Sequence, residues 1–433
     1  MAWSPLTRVA FRFCFIYFIL YALAGQIFSG VFIYPGFVPL LGTRWPLADI
    51  TNWGAEHMFG GTPPFSWTGN SGDTFFHWVQ TFWLLLCSGV GTAVWSMADA
   101  ARPHHVTLYK WFRVFVRFAL ASQMFYYGMA KVIPTQFPPP ALFTIVQPVG
   151  NLSLTDLLWV FVGSSTAYQM FAGWAEMAAG FLLIVPRLTM LGALIALADM
   201  VQVFVLNMTY DFGLKQISFH LILLSLFLLA PEMRRLANVF VLNRPAEPSA
   251  EPPLFRSPEA NRLALVAQVV YGCVLVVMFT NVALRFYVSE GGTAAPRSPL
   301  RGIWDIERLS IDGEVRLPEL NDYDRRWRRV IFDYAERMFF QRTDDSFSSY
   351  AITLDEQRRV IALTKGTSRT WTSEFRYQRP AEDRLILEGE MDGYTIRAEL
   401  QLVGLDTFKL LNSPFRWIRP PDPNAAERAS PRE

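Results

Sequence analysis

Long apolar runs separated by short polar stretches occupy the chain from about residue 8 to 288, and beyond about 296 the pattern changes to short segments that alternate apolar and polar positions. A helix that crosses a bilayer needs roughly 20 apolar residues. Seven stretches meet that length, at about 9–33, 75–98, 112–133, 157–185, 188–208, 214–231 and 263–288. The fourth is long enough for its first part to lie at the membrane interface before the chain turns inward. Gly25, Gly30, Gly89, Gly91, Gly173 and Gly180 fall inside these runs, where a missing side chain lets helices pack closely. In the C-terminal part, runs at 329–334, 337–342, 349–354, 359–363, 373–377, 385–390, 394–402 and 408–411 have period two. Turns such as Thr343-Asp344-Asp345, Asp355-Glu356-Gln357 and Met391-Asp392-Gly393 separate them. The Asp392-Gly393 pair is a hairpin signal. About eight strands at this spacing predict a small antiparallel barrel or sandwich, with Trp304, Trp327 and Trp417 serving its core.

The predicted fold is an α-helical polytopic membrane bundle of about seven spans with a C-terminal antiparallel β domain. Its expected organisation is a two-span extension at 1–111 with an outer loop at 34–74, a four-helix membrane core at 112–242, a Pro-rich cytoplasmic linker at 243–262, a seventh span at 263–288, a second linker at 289–299, a β domain at 299–420 and a disordered tail at 421–433.

Composition agrees with a membrane chain. Of 433 residues 52% are hydrophobic and only 18% charged, with a mean hydropathy of +0.22. That is far too apolar for disorder and high for a soluble enzyme. The net charge of +2 comes with no basic face, so the expected partner is the lipid bilayer and not a nucleic acid. The first apolar run is too long for a cleaved signal peptide, and no small-residue cleavage site follows it. Cys14, Cys87 and Cys273 lie in apolar runs without a CxxC, which excludes a thioredoxin-type motif and a cysteine zinc site. Cys14 and Cys87 read as small core side chains. No GxGxxG, Walker, HExxH or GxSxG element occurs.

Basic residues orient the bundle. Arg8 and Arg12 precede the first span; Arg102, Lys110 and Arg113 follow the second; Arg187 follows the fourth; Arg234, Arg235, Arg244, Arg256 and Arg262 follow the sixth. The positive-inside rule makes this side cytoplasmic. Seven spans with the N-terminus inside then put the β domain outside, on the cytoplasmic (inner) membrane. The outer loop 34–74, rich in Gly, Pro and Trp, reads either as an interfacial cover holding Trp45, Trp53 and Trp67 at headgroup depth or as a substrate lid. Arg113 and Arg117 are expected to snorkel to the cytoplasmic face.

A charge inside a span is costly, so a functional role is the starting hypothesis for it. Glu176 falls near the middle of the fourth span and Asp199 near the middle of the fifth, with Gln202 three residues on and on the same face. Lys131 ends the third span on the outer side, Asp211 and Lys215 flank the turn between the fifth and sixth, and His220 lies one to two turns deeper than Lys215. Lys131, Glu176, Asp199, Gln202, Asp211, Lys215 and His220 therefore converge on the outer half of the bundle. They form either a polar pocket or a set of structural interhelical pairs. Lys131 and His220 are the expected companions of Glu176. No metal site is expected, and a haem would need the pair His77 and His220, the two histidines inside spans.

Residues 113–242 resemble the DoxX/DoxD family of four-helix membrane proteins. The resemblance is carried by Tyr127-Gly128-Met129-Ala130-Lys131, Ala172-Gly173-Trp174-Ala175-Glu176, Gly180-Phe181-Leu182-Leu183, Gly192-Ala193-Leu194 and Lys215-Gln216-Ile217-Ser218-Phe219-His220. A Lys after a Gly near a span end is also similar to the membrane module of vitamin K-dependent carboxylase-like proteins. The DoxX resemblance implies quinone-linked redox chemistry, as in the small subunit of thiosulfate:quinone oxidoreductase, with quinone as the cofactor and a redox partner protein supplying electrons. Two further spans before the core, one after it and the β domain depart from the plain four-span type. The other readings are a membrane scaffold whose outer β domain binds a partner or envelope ligand, and a transporter, which the lack of an internal repeat disfavours.

Overall fold

The structure is a computed structural model that describes residues 3–32, 41–61, 73–248, 252–289, 294–318, 326–365, 370–413 and 416–418. It contains two compact units, Met1–Pro139 with Leu152–Ala295 and Pro140–Asn151 with Pro296–Glu433. Trp67 and the tail 421–433 lie outside the described residues.

The first unit is helical. Its elements are α1 (Pro5–Ala24), α2 (Gln26–Phe32), α3 (Leu47–His57), α4 (Phe75–Ala98) and α5 (Val106–Val132), and then, beyond the short α6 (Leu142–Ile145) that belongs to the other unit, α7 (Leu154–Gly163), α8 (Thr166–Ile184), α9 (Thr189–Thr209), α10 (Lys215–Leu229), α11 (Met233–Phe240) and α12 (Pro258–Val288). Five stretches, Pro5–Ala24, Phe75–Ala98, Pro186–Thr209, Lys215–Phe240 and Pro258–Val288, are long and apolar enough to cross a membrane.

Several sequence-based boundaries change. The first apolar run breaks at Gly25, whose extended backbone ends α1. The fourth run breaks at Ser164 and Ser165: Ser164 Oγ donates to the Val160 carbonyl and Ser165 Oγ accepts from the Tyr168 amide, so side chains end one helix and cap the next. The loop 34–74, expected as a cover or lid, contains α3. Trp45 and Trp53 are exposed, and Cys87 lies exposed on α4 and not in the core.

Arg113 and Arg117 do not snorkel; both are buried on α5. Arg117 donates to the carbonyls of Leu183 at 2.9 and 3.0 Å and of Ile184 at 2.6 Å, and to Gln268 Oε1 at 3.0 Å. Arg113 donates to the Leu228 carbonyl at 2.9 Å. The backbone acceptors among these are last-turn carbonyls of α8 and α10, groups that no helix satisfies for itself and that carry the negative end of the helix dipole.

The second unit is a closed antiparallel β-barrel, which settles the barrel-or-sandwich alternative. Its strands are β1 (Arg297–Ile311), β2 (Glu314–Arg316), β3 (Trp327–Tyr334), β4 (Arg337–Arg342), β5 (Phe347–Asp355), β6 (Val360–Lys365), β7 (Trp371–Ala381), β8 (Arg384–Met391) and β9 (Tyr394–Leu402). Each neighbour pairs with the next, β1 pairs with β9, and β2 hangs on β1, so eight of the nine strands close the barrel. Closure leaves the eight without an unpaired edge. The Asp392-Gly393 turn has positive φ at both residues, 54° and 80°, as does Asp312-Gly313 at 52° and 84°, the geometry of two-residue hairpins. Alternate positions put Trp304, Phe332, Phe340 and Phe375 into a filled interior. Trp327 is buried as expected, but Trp417 is 89% exposed. Residues 408–411 form turns and not a strand, and β1 begins inside the stretch read as a linker.

Segment 140–151, from the connection between α5 and α7, is packed on the outside of this barrel. Leu142 is buried to 1% exposure among Ile303, Ile331 and Phe339, and the Phe143 ring stacks on Phe339 at 4.4 Å. The Leu142 amide donates to Asp333 Oδ2 at 3.0 Å, and Asp333 Oδ1 accepts from Arg297 and Arg301.

Two outcomes are expected for the barrel. Leu142→Ala should cost about 2–5 kcal/mol, the range for emptying a buried leucine site, read as earlier loss of β-type circular dichroism on heating. Acid should also destabilise it. Gln401 Nε2 holds the Asp383 carboxyl below its usual range, and bonds from Ser346 do the same for Asp344. A depressed carboxylate stabilises above its unfolded pKa, and that contribution is lost as pH falls through the folded value. The double change Asp344→Asn/Asp383→Asn should flatten the fall in melting temperature below about pH 4.

Candidate functional site

The site begins with two glycines. A side-chain carbon placed at Gly173 of α8 would lie 2.7 Å from the Gly128 carbonyl oxygen and 2.7 Å from Lys131 Cβ. One placed at Gly128 of α5 would lie 3.0 Å from the Gly173 carbonyl and 3.1 Å from the Met177 amide nitrogen. Without side chains there, the two helices meet backbone to backbone, antiparallel, with 128 facing 177 and 131 facing 173. Lys131 and Glu176 each sit three residues after their glycine, close to one turn along the same face.

That contact joins the two charges. Lys131 Nζ donates to Glu176 Oε1 at 2.7 Å and Oε2 at 2.8 Å, with Glu176 at 1% exposure and Lys131 at 8%. The Lys131 ammonium also lies 5.7 Å from the Tyr127 ring. The pair forms one wall of a cavity of about 90 Å³. Leu158 and Val162 of α7, Met200, Val203 and Leu206 of α9, and Ile217 and Leu221 of α10 make its apolar surface. Asp199, Gln202 and Asn207 of α9 and Tyr127 of α5 add polar groups, as do Gln136 and Tyr168. Asn207 Nδ2 donates to the Leu214 carbonyl and Ser218 Oγ, which fixes the turn into α10. Tyr127 Oη accepts from Gln26 Nε2 at 2.7 Å, leaving its own proton to donate. Asp199 Oδ2 and Gln136 Oε1 are buried and without a hydrogen-bond partner.

Four of the seven residues singled out in the sequence, Lys131, Glu176, Asp199 and Gln202, line this cavity. Asp211 and Lys215 form a separate ion pair at 2.8 Å in the turn before α10, where the Lys215 ammonium holds the exposed Asp211 carboxyl below its usual range. His220 faces the opposite way, so it is not a companion of Glu176. Its Nε2 lies 2.7 Å from Tyr17 Oη, its Nδ1 lies 2.6 Å from the Gln216 carbonyl, and its ring stacks on Tyr21 at 3.5 Å. Both imidazole nitrogens are thus engaged, and His77 Nδ1 is bonded to Thr74 at 2.6 Å; the residues do not fit a haem pair.

Sequence reasoning missed Tyr127, Gln136 and Tyr168 in the wall. Tyr127 was accessible, since it precedes Lys131 by four residues on one helix face. It also missed Asp73, whose two carboxylate oxygens accept from the Lys215 and Gln216 amides at 2.6 and 2.8 Å and so cap α10 from a distant segment.

Removing one member of a buried pair strands the other charge. Lys131→Met or Glu176→Gln alone should therefore cost about 3–5 kcal/mol, and the double change Lys131→Met/Glu176→Leu less than either. Thermal unfolding in detergent measures this; additive losses in the double variant would show that the two do not act as a pair.

No family model matches the chain, and no solved structure matches it. Over 124 residues, 29% of its length, the chain is 32% identical to the uncharacterized protein YwoB of Bacillus subtilis (strain 168), and the match takes in 79% of that relative.

Proposed function

The chain belongs to the family of Bacillus subtilis YwoB, and we propose that it works as an integral membrane, quinone-interacting subunit that serves a redox partner protein. The observation that carries this reading is the Lys131–Glu176 pair set in the wall of an otherwise apolar cavity beside Asp199. A quinone is a flat apolar ring with two oxygens at its rim, and such ligands take an apolar slot with a few placed polar groups. Conversion between quinone and quinol moves two electrons and two protons. The electrons come from or go to the partner; Glu176 and Asp199 are the groups that hold or pass protons at the cavity, and Tyr127 and Lys131 orient a ring oxygen. The DoxX/DoxD-like pattern at Gly128, Lys131, Gly173 and Glu176 supports the same chemistry.

The proposed topology has seven spans, the N-terminus inside, and the barrel outside the cytoplasmic membrane. Segment 140–151 supports it. If only the five strongly apolar stretches crossed, this segment and the barrel strands would emerge on opposite faces. Counting α5 and α8 as spans brings both to one face, which fits the packing of Leu142 and Phe143 on β3 and β4. The filled barrel interior directs any partner of the β domain to its outer surface.

Two experiments test these points. Purified protein extracted with organic solvent should release close to one quinone per chain, and Leu206→Trp, which fills the cavity, should abolish this; wild-type protein without bound quinone would sink the reading. In a cysteine-free background, Val149→Cys should react with a membrane-impermeant maleimide in intact cells, and Arg102→Cys only after permeabilisation. The reverse pattern contradicts the topology.

A further inference from the structure

The hydrogen-bonding balance of the cavity distinguishes the two redox forms of such a ligand. Asp199 Oδ2 and Gln136 Oε1 both belong to cavity-lining residues, and both are shut off from solvent without a donor. Two of the lining donors are directed elsewhere. Lys131, the single cation among the lining residues, directs two of its ammonium protons to Glu176. Asn207 gives its amide protons to the Leu214 carbonyl and Ser218. A buried acceptor with no donor loses its hydration for nothing in return, so a ligand that supplies the donor gains from each such atom.

A quinone carbonyl only accepts. It can take the remaining Lys131 proton or the Tyr127 hydroxyl proton, but beside an ionised Asp199 it leaves Asp199 Oδ2 and Gln136 Oε1 unsatisfied and sets further acceptors next to them. A quinol hydroxyl both donates and accepts. It can receive from Lys131 or Tyr127 and donate to the two orphaned oxygens. An alkylammonium would also donate, but it has no acceptor for the Tyr127 proton and no flat ring to fill the apolar walls built by Leu158, Val162 and Ile217.

We infer that the cavity selects the reduced, dihydroxy-aromatic form of its ligand, a quinol, over the oxidised quinone. This rests on the quinone-type reading of the cavity and concerns binding, with no electron-transfer step assigned to the chain itself.

The test is anaerobic isothermal titration of the full-length protein in detergent with decylubiquinol and, separately, decylubiquinone. Decylubiquinol should bind about ten-fold or more tightly, the effect of satisfying one buried acceptor. Asp199→Asn, whose amide can itself donate, should narrow the preference by strengthening quinone binding. Gln136→Leu, in the connection after α5, should narrow it by removing an acceptor, and it stands in should Asp199→Asn fail to fold. Equal affinity for the two forms, or tighter quinone binding, in the wild-type protein overturns this inference and leaves the quinone-type reading intact. Binding of neither form, or a response to hexylammonium alone, overturns the reading as well.

Discussion

Backbone contact between α5 and α8 at Gly128 and Gly173 fixes everything built around the cavity. A side chain at either position would push the helices apart and separate Lys131 from Glu176. Two charges taken out of water repay their desolvation only with close geometry, and here Nζ stands within 2.8 Å of both carboxylate oxygens. The other end of the same helix pair is pinned by Arg117, which holds the last carbonyls of α8. With both ends tied, α8 cannot slide: a one-residue shift would turn Glu176 by about 100° away from its partner.

The cavity follows from that register. α8 brings Glu176 to its inner wall, and α9 and α10 bring apolar side chains and Asp199 opposite. The chain leaves this wall through Gln136 and Phe137, runs through Pro138, Pro139 and Pro140 into the segment packed on the barrel, and returns through the Ser153 capping box to Leu158 and Val162. Residues packed on the outside of the barrel are only a few positions along the chain from cavity-lining residues on either side.

Much of this was legible in the sequence, and the failures have identifiable causes. The length of the apolar runs located the long helices, because outward-facing and core-facing positions are both apolar over about 20 residues. The cost of a mid-span carboxylate pointed to Glu176, and Lys131, placed at the outer end of the third span, was an expected companion. What spacing cannot give is the direction in which a short helix faces. His220 sits at the right depth on α10, yet its ring turns to Tyr17 and Tyr21. The break at Gly25 lies inside an apolar run, where only capping geometry marks an end, while the break at Ser164-Ser165 falls in the fourth run, whose length implied a turn of the chain without giving its place. β1 escaped notice because the register shift between Ile306 and Arg308 interrupts its alternation, whereas β8 and β9, joined by Asp392-Gly393, keep theirs throughout.

α5 shows how far apolarity and position in a bundle can part. It carries Lys110, Arg113, Arg117 and Lys131, and it is absent from the stretches apolar enough to cross a membrane by composition alone. It is also buried along most of its length, while the very apolar α12 exposes most of its surface. The two facts have one cause. A helix enclosed by other helices meets protein and not lipid, so its polar groups find partners: helix-end carbonyls for Arg113 and Arg117, a carboxylate for Lys131, an amide for Tyr127. A helix at the rim, such as α12, has few such partners and is apolar nearly all round. Mean apolarity along a segment thus reports exposure at the rim of the bundle. Depth in the bundle is reported by charges that are present and paired, and those are the residues from which this cavity is made.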